Sequence, residues 1–285
     1  MASVAERLAA ARARLEAAGL RPRDAALDAE VLARHALGWD RASLLTRGRD
    51  PEPAGFAETF EQLISRRAAR EPVAQITGIR EFWGLDFEVT RDVLVPRPET
   101  ELIVEEALSF AREMPYCQVI DVGTGTGCLA VTIAHELPDV RVTAVDRSEA
   151  ALQVARRNAA RHGVADRIQF RHGDLFEGIS GQADLIVSNP PYVPDEDAVA
   201  MAPEVLDHEP HLALFGGPTG LEVVQRLLIQ ATSRLAPHGR LVVEFGFGQE
   251  AAITRLAADA GWRMVQVRED LQGIARTIVL VPGSA

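Results

Sequence analysis

The chain has 285 residues, of which 47% are hydrophobic and 25% are charged. This ordinary globular balance excludes a disordered or collagen-like protein. The formal net charge of −11 argues against a nucleic acid as the main substrate, because neutralising phosphates requires a basic footprint. The two cysteines, Cys117 and Cys128, are too few for a disulfide framework and lack metal-ligand spacing. With no apolar signal core and no run long enough to span a bilayer, we expect a cytoplasmic protein without a metal or a membrane partner.

Residues 1–75 predict a small helical domain. Ser3 caps a first helix that ends near Gly19, and a second runs from Pro22 to Gly38. Further helical stretches are predicted near 43–45 and at 54–70. The pattern leaves two roles open for this domain: a stabilising appendage or a docking surface for a partner.

Residues 76–95 change character and predict a β-hairpin linker. Apolar residues from Ile76 to Val89 surround Gly84, which marks the turn. Beyond the linker, Pro98 followed by Glu99 is typical of a helix start.

Residues 96–285 predict a doubly wound, mostly parallel α/β domain with a seven-stranded sheet, because strand and helix patterns alternate. The last two strands are joined by too short a link for a parallel crossover, so they should be antiparallel. The predicted strands are 118–122, 141–146, 168–172, 184–188, 240–245, 262–268 and 276–281.

A glycine loop follows the first strand of this sheet, in the order Gly123, Thr124, Gly125, Thr126, Gly127. Such a loop lets the backbone approach a ligand at a helix N-terminus. Alone it is a weak signal, because a plain strand-to-helix turn is the alternative interpretation. A dinucleotide fingerprint would need glycine where Cys128 stands.

Acidic residues at the next two strand ends strengthen the interpretation as a nucleoside site. Asp146 ends the second strand, where a carboxylate accepts the hydroxyls of a ribose or, alternatively, caps the following helix. After the third strand, Asp174 offers an acceptor to an adenine amino group and Leu175 an apolar surface. Asp174 alone is equally typical of a turn.

The fourth strand ends in Ser188, Asn189, Pro190, Pro191 and Tyr192. The prolines fix a loop that faces the ligand crevice of a doubly wound sheet. The Asn189 side-chain oxygen and the Pro190 carbonyl can each accept one N–H of an NH₂ group. Tyr192 offers a flat face to a substrate or to a positively charged sulfonium.

Together these motifs resemble the peptide chain release factor glutamine methyltransferases, the PrmC/HemK family of class I, Rossmann-like enzymes. The sequences that carry the resemblance are Arg80–Leu85, Pro96–Glu101, the loop at 121–127, Ser188–Tyr192, and His208–Pro210 with Gly216 and Gly217. Gln75 departs from the pattern, which has an aromatic residue there.

The resemblance implies methyl transfer from S-adenosylmethionine to the N5 amide of the Gly-Gly-Gln glutamine of class 1 release factors. The products would be S-adenosylhomocysteine and a methylated release factor, and the methylation would modulate translation termination. It places Gly123–Gly127, Asp146, Asp174, Leu175 and Asn189 around the cofactor. It also makes Asn189, Pro190 and Tyr192 catalytic, with Asn189–Tyr192 gripping the glutamine. The helical domain would help to place the release factor, and no stable nucleic-acid binding is expected.

Four other readings remain open. They are a ribosomal-protein glutamine methyltransferase, a nucleic-acid amino methyltransferase, a non-catalytic cofactor- or release-factor-binding protein, and an NAD-dependent oxidoreductase. We assign no general base, and interpret His208 and His211 as structural polar residues. Glu99 and Glu101 either help to close the site or are carboxylates favoured in a first helical turn.

Overall fold

A computed structural model describes residues 2–114 and 116–283. The chain divides into two compact units, one formed by Met1–Gly78 with Ala202–His208 and the other by Ile79–Met201 with Glu209–Ala285. The helices are α1 (Val4–Ala17), α2 (Pro22–Leu37), α3 (Arg41–Arg47), α4 (Phe56–Ala68), α5 (Val73–Thr77), α6 (Glu101–Arg112), α7 (Cys128–Glu136), α8 (Glu149–Arg161), α9 (Pro203–Leu206), α10 (His211–Leu214), α11 (Glu222–Ala231) and α12 (Glu250–Asp259). The strands are β1 (Ile79–Phe82), β2 (Leu85–Glu88), β3 (Gln118–Val122), β4 (Arg141–Asp146), β5 (Ile168–His172), β6 (Ala183–Ser188), β7 (Val193–Pro194), β8 (Phe215–Gly217), β9 (Leu235–Glu244), β10 (Trp262–Glu269) and β11 (Ala275–Pro282).

The helical unit packs α1, α2, α4 and α5 around a core that includes Leu15, Leu32 and Ile64. Ser3 caps α1 in a reciprocal pair with Glu6, as the sequence predicts. The short helix α5 was not predicted, and Ile76 lies in it instead of in the hairpin. The five-residue length of α5 explains the error, because one helical turn is too short to show a period.

A buried guanidinium joins the segment Ala202–His208 to this helical unit. Arg67, 6% exposed, donates to Asp28 at 2.7 Å and to Glu204 at 3.0 Å. The side chain of Gln75 donates to the backbone oxygen of His208 at 2.8 Å. Gln75, which departs from the family pattern, therefore has a structural partner within its own unit.

The second unit contains a seven-stranded sheet with the order β10-β11-β9-β6-β3-β4-β5. Neighbouring strands are parallel except that β11 is antiparallel to both β9 and β10. The doubly wound, mostly parallel fold and the antiparallel final pair are thus confirmed. Strand β9 begins five residues earlier than predicted, because Leu235 pairs with Ala183 although the intervening Pro237-His238-Gly239 is typical of a turn.

Alternate residues of the central strands face opposite sides of the sheet. Val119 of β3 packs in one apolar cluster with side chains of α6, α7 and α8, whereas Ile120 packs in another with those of α11 and α12. Both faces are therefore covered, and the carboxyl ends of the parallel strands meet at one edge of the sheet. Strand order reverses between β3 and β6, which is where doubly wound sheets bind ligands.

The hairpin is confirmed, with Phe82 paired to Leu85 and left-handed φ angles at Trp83 and Gly84. The fully buried Asn158 of α8 joins this hairpin to the glycine loop. Its amide nitrogen donates to the backbone oxygens of Glu88 and Thr126, at 3.1 and 2.9 Å. The Asn158 side chain thereby links the glycine loop to the hairpin.

Candidate active site

A cavity of about 970 Å³, including its open mouth, lies at the carboxyl edge of the sheet. Most of the predicted site residues line it, but Thr124, Thr126, Gly127 and Tyr192 do not. Those that do are Gly123, Gly125, Asp146, Asp174, Leu175, Asn189, Pro190 and Pro191. Residues separated along the chain thus surround one space because their strands end at the same edge.

The glycine loop exposes its backbone to the cavity at Gly123 and Gly125. Both have left-handed φ angles, +77° and +54°, and no atom beyond the adjacent residues lies within 4 Å of where a Cβ would stand. The backbone N–H groups of Gly123 and Thr124 both donate to Val145 at 2.9 Å. The loop is therefore anchored to β4 while one side remains open to a ligand.

The other three predicted loop residues support the loop from within the protein. Thr124 donates its hydroxyl hydrogen to Asp121 at 2.5 Å, and Thr126 accepts a bond from Asn158 through its backbone oxygen. A Cβ on Gly127 would lie 3.1 Å from the Cβ of Ala155. Glycine at this position therefore permits close packing of α7 against α8.

Asp121, fully buried at the end of β3, is a residue to which sequence reasoning gave no role. Its Oδ2 accepts from Thr124 and from the backbone N–H of Ala130, whereas Oδ1 has no hydrogen-bond partner among the described residues. Burial raises the pKa of this carboxyl to about 7. Asp121 lies in the segment quoted for the glycine loop, so proximity to that motif was the available signal.

Asp146 lies half-buried at the end of β4, directly beside the glycine loop. Its carboxylate accepts the N–H of Gly125 at 2.9 Å and that of Ser148 at 2.8 Å. Burial raises its pKa. Ser148 caps α8 with its own hydroxyl, so Asp146 is not required as the cap.

Asp174 and Leu175 line the cavity after β5. Asp174 forms an ion pair with Arg226 of α11, a partner that no sequence motif indicated. Leu175 has a left-handed φ of 53°, which is uncommon for a residue with a side chain, and is 7% exposed. The turn thereby directs an apolar side chain into the wall of the cavity.

Asn189 is held by a chain of hydrogen bonds on the protein side of the cavity. Its Nδ2 donates to Oγ1 of Thr100 at 3.0 Å, and that hydroxyl donates to Oε2 of Glu244 at 2.7 Å. Burial raises the pKa of Glu244 to about 7. The sequence analysis quoted the segment that contains Thr100, but it assigned neither Thr100 nor Glu244 a role at Asn189.

Tyr192 faces Glu244, with its hydroxyl oxygen 3.4 Å from Oε1 of that residue. Burial raises the pKa of the Tyr192 hydroxyl far above the ordinary value for a tyrosine. The side chain of Gln249 donates to the backbone oxygen of Tyr192 at 2.9 Å. A Cβ on Gly220 would lie 2.3 Å from that same oxygen, so the loop of Asn189–Tyr192 is enclosed on several sides.

The residues with open roles have structural contacts. Glu101 accepts the backbone N–H of Trp83 at 3.0 Å, which joins the start of α6 to the hairpin. The ring of His211 packs edge-on against Phe215 at 5.4 Å. His208 belongs to the helical unit. Within residues 2–114 and 116–283, no group of His, Cys, Asp and Glu could hold a metal ion.

The arrangement fits S-adenosylmethionine. Gly123 and Gly125 leave backbone open to a ligand, and Asp146 supplies a half-buried carboxylate. Leu175 supplies an apolar wall for a planar ring.

In the part of the chain that the structure describes, no helix is both long and apolar enough to cross a membrane.

Comparisons with known proteins show which family the chain belongs to. The family models described as the PrmC N-terminal domain and the Methyltransferase small domain match residues 6–78 and 100–217. A release factor glutamine methyltransferase of Cereibacter sphaeroides is 46% identical over 96% of this chain and 96% of its own. One from Nitratidesulfovibrio vulgaris is 44% identical over 94% and 91%.

The fold has relatives among solved structures. A methyltransferase from Pyrococcus furiosus superposes with a TM-score of 0.52 and 19% identity, covering 79% of this chain and 98% of that one. That likeness concerns the fold alone, whereas the sequence identity to the curated relatives extends over nearly the whole chain. The resemblance drawn from the motifs is therefore confirmed, and the chain belongs to the family of release factor glutamine methyltransferases.

Proposed function

We propose that this protein transfers a methyl group from S-adenosylmethionine to the side-chain amide nitrogen of the glutamine in the Gly-Gly-Gln motif of class 1 release factors. The observation that carries the proposal is a juxtaposition. Asn189 and Pro190, whose oxygens are the expected acceptors for the substrate amide, line the same cavity as Gly123, Gly125 and Asp146. An amide-recognising loop and a nucleoside-binding loop therefore share one space.

The cofactor would be held along one side of that cavity. Gly123 and Gly125 would bind its amino-acid end through exposed backbone, and Asp146 would accept its ribose hydroxyls. Asp174 and Leu175 would contact the adenine. When bound, S-adenosylmethionine supplies an electrophilic methyl group on a positively charged sulfur.

The protein's contribution to the reaction is geometric. An amide nitrogen is a poor nucleophile because its lone pair is delocalised into the carbonyl. Asn189 and the carbonyl of Pro190 would each accept one N–H, which aims the nitrogen at the methyl carbon. Positioning of this kind lowers a barrier by about 7–11 kcal/mol at best.

The proposal needs no general base. A neutral amide resists deprotonation, but once the C–N bond has formed the nitrogen is cationic and releases a proton readily. Glu244, a buried carboxyl, contacts Thr100 and Tyr192. Its contacts are those of a supporting residue.

The helical unit would dock the body of the release factor. The exposed apolar residues Leu27 and Leu45 support this role. If the unit docks the substrate, a short Gly-Gly-Gln peptide should show a much higher KM than the intact factor. Equal KM values would contradict docking outside the motif.

The decisive experiment incubates an unmodified release factor with the protein and S-adenosylmethionine and measures intact mass and peptide masses. We expect one added methyl on the motif glutamine. Asn189→Ala should retain much of the cofactor binding but lose most of the transfer, because the side-chain acceptor for the substrate amide is removed.

An unmodified factor, in the presence of demonstrated cofactor binding, would refute the release-factor substrate. The search would then move to ribosomal-protein glutamines and after them to nucleic-acid amines. Full activity of Asn189→Ala would refute the assigned grip.

A further inference from the structure

Two buried residues behind Asn189 have no part in the mechanism described above. Thr100 is 2% exposed and Glu244 is 1% exposed, so water does not compete for their hydrogen bonds. Asn189, Thr100 and Glu244 form a continuous chain with donor–acceptor distances of 3.0 and 2.7 Å. Asn189 itself lines the cavity, so the chain leads from the core to the substrate space.

The chemistry of the hydroxyl dictates the direction of each bond. Thr100 has one hydroxyl proton, and an ionised carboxylate only accepts hydrogen bonds. The proton of Thr100 therefore points to Glu244, which leaves only lone pairs for Asn189. Asn189 must then present its NH₂ group to Thr100 and its oxygen to the opposite side.

The surroundings of Glu244 determine at which pH its carboxyl is ionised and accepts the hydrogen bond from Thr100. Burial and the negative charge of Glu99 raise its pKa, whereas Thr100, Tyr192 and the positive charge of Arg276 lower it, for a value of about 7. Glu244 is therefore mostly ionised at about pH 8.

We propose that Thr100 and Glu244 are positioning residues that fix the amide orientation of Asn189, so that the cavity presents an acceptor and selects glutamine over glutamate. The proposal rests on the proposed function, since the acceptor acts on the N–H groups of the substrate amide. A flipped Asn189 would present donors, which oppose an NH₂ group and attract a carboxylate.

The test compares Thr100→Val, which removes the hydroxyl at nearly constant volume, with Thr100→Ser, which retains it. The control is Thr132→Val. Thr132 of α7 is fully buried, and its hydroxyl has no hydrogen-bond partner among the described residues. Its substitution therefore repeats the chemical change away from Asn189.

Each variant is assayed at about pH 8 with an intact release factor. The same factor with glutamate in place of the motif glutamine serves as a competitive inhibitor. In Thr100→Val we expect kcat to fall about tenfold, the equivalent of one lost hydrogen bond, with cofactor affinity unchanged. The glutamate factor should inhibit this variant more strongly, relative to the KM for glutamine, than it inhibits the wild type.

Thr100→Ser should restore both kcat and the selectivity, and Thr132→Val should match the wild type. A merely structural role for Thr100 would not change the preference between amide and carboxylate. If valine prevents folding, Thr100→Ala removes the hydroxyl without adding volume and repeats the comparison.

The outcomes separate the two proposals. A wild type that binds cofactor but methylates no release factor overturns the proposed function and, with it, the selectivity argument. An active wild type whose Thr100→Val variant matches Thr132→Val in both kcat and inhibition ratio overturns the positioning role alone.

Discussion

Alanine at Gly127 should mainly reduce stability, whereas alanine at Gly123, in the same loop, should mainly weaken cofactor binding. Gly127 and Gly123 both have left-handed backbone, with φ of +81° and +77°. A Cβ on Gly127 would lie 3.1 Å from the Cβ and 3.3 Å from the Cα of Ala155, whereas nothing lies within 4 Å of one on Gly123. Only Gly123 lines the cavity. The pair therefore separates core packing from access to the cofactor.

The loss of stability can be worked from these distances. A side chain in the left-handed region costs about 1–2 kcal/mol, and both variants bear this cost. Gly127→Ala adds about 1–3 kcal/mol of overpacking, because the opposing atoms include backbone of α8 that cannot rotate away. We expect the free energy of unfolding to fall by about 2–5 kcal/mol for Gly127→Ala and by about 1–2 kcal/mol for Gly123→Ala.

Cofactor binding should show the reverse order. A methyl group on Gly123 would stand where the backbone faces the cavity, so we expect the Kd for S-adenosylmethionine to rise at least about tenfold. Gly127→Ala should change the Kd less. Urea denaturation followed by circular dichroism and calorimetric titration measure the two quantities. Equal losses of stability, or a larger Kd increase for Gly127→Ala, would refute the packing argument.

Two further predictions concern buried charges. The pKa of about 7 for Glu244 means that, from about pH 4.5 to 7, the folded protein holds a proton that the unfolded chain has released, so stability falls as pH rises. Urea titrations should show that Glu244→Gln reduces the slope of the unfolding free energy against pH by up to about 1.4 kcal/mol per pH unit. Asp121 should account for a residual slope. An unchanged slope would contradict the raised pKa of Glu244. Separately, Arg67→Met leaves two carboxylates without their buried partner and should lower the free energy of unfolding by about 3–5 kcal/mol. Arg12→Met, in an exposed ion pair, should lower it by about 0–1 kcal/mol. Similar shifts in thermal midpoint for the two arginine variants would show that burial does not govern the effect.

The elements with a clear local period were predictable from the sequence. Strands β3, β4 and β5 coincide with their predicted ranges, because apolar residues recur within each strand and turn signals flank it. The two-residue strand β7 and its partner β8 were not predicted. They form only because Val193 and Phe215 meet in space, and neither segment has a period of its own.

The candidate site divides in the same way. The glycine loop, Asp146 and Asn189 were found because each directly follows a strand, and parallel strands end at one edge. Thr100 is 89 residues from Asn189 and 144 from Glu244 along the chain. No local pattern relates such positions, so their shared hydrogen bonds appear only when α6, β6 and β9 have packed together.

The sequence by itself determined the family, the fold class and the residues at the strand ends, because periodicity and motif spacing are properties of neighbouring residues. Tertiary structure decided which of those residues face the cavity. It placed Gly123 and Asn189 on the cavity wall but left Gly127 and Tyr192 off it. It also decided which buried groups support them, because side-chain direction and burial depend on packing between distant segments. The orientation of the Asn189 amide is the clearest case, since a hydroxyl and a carboxylate from two other elements determine it.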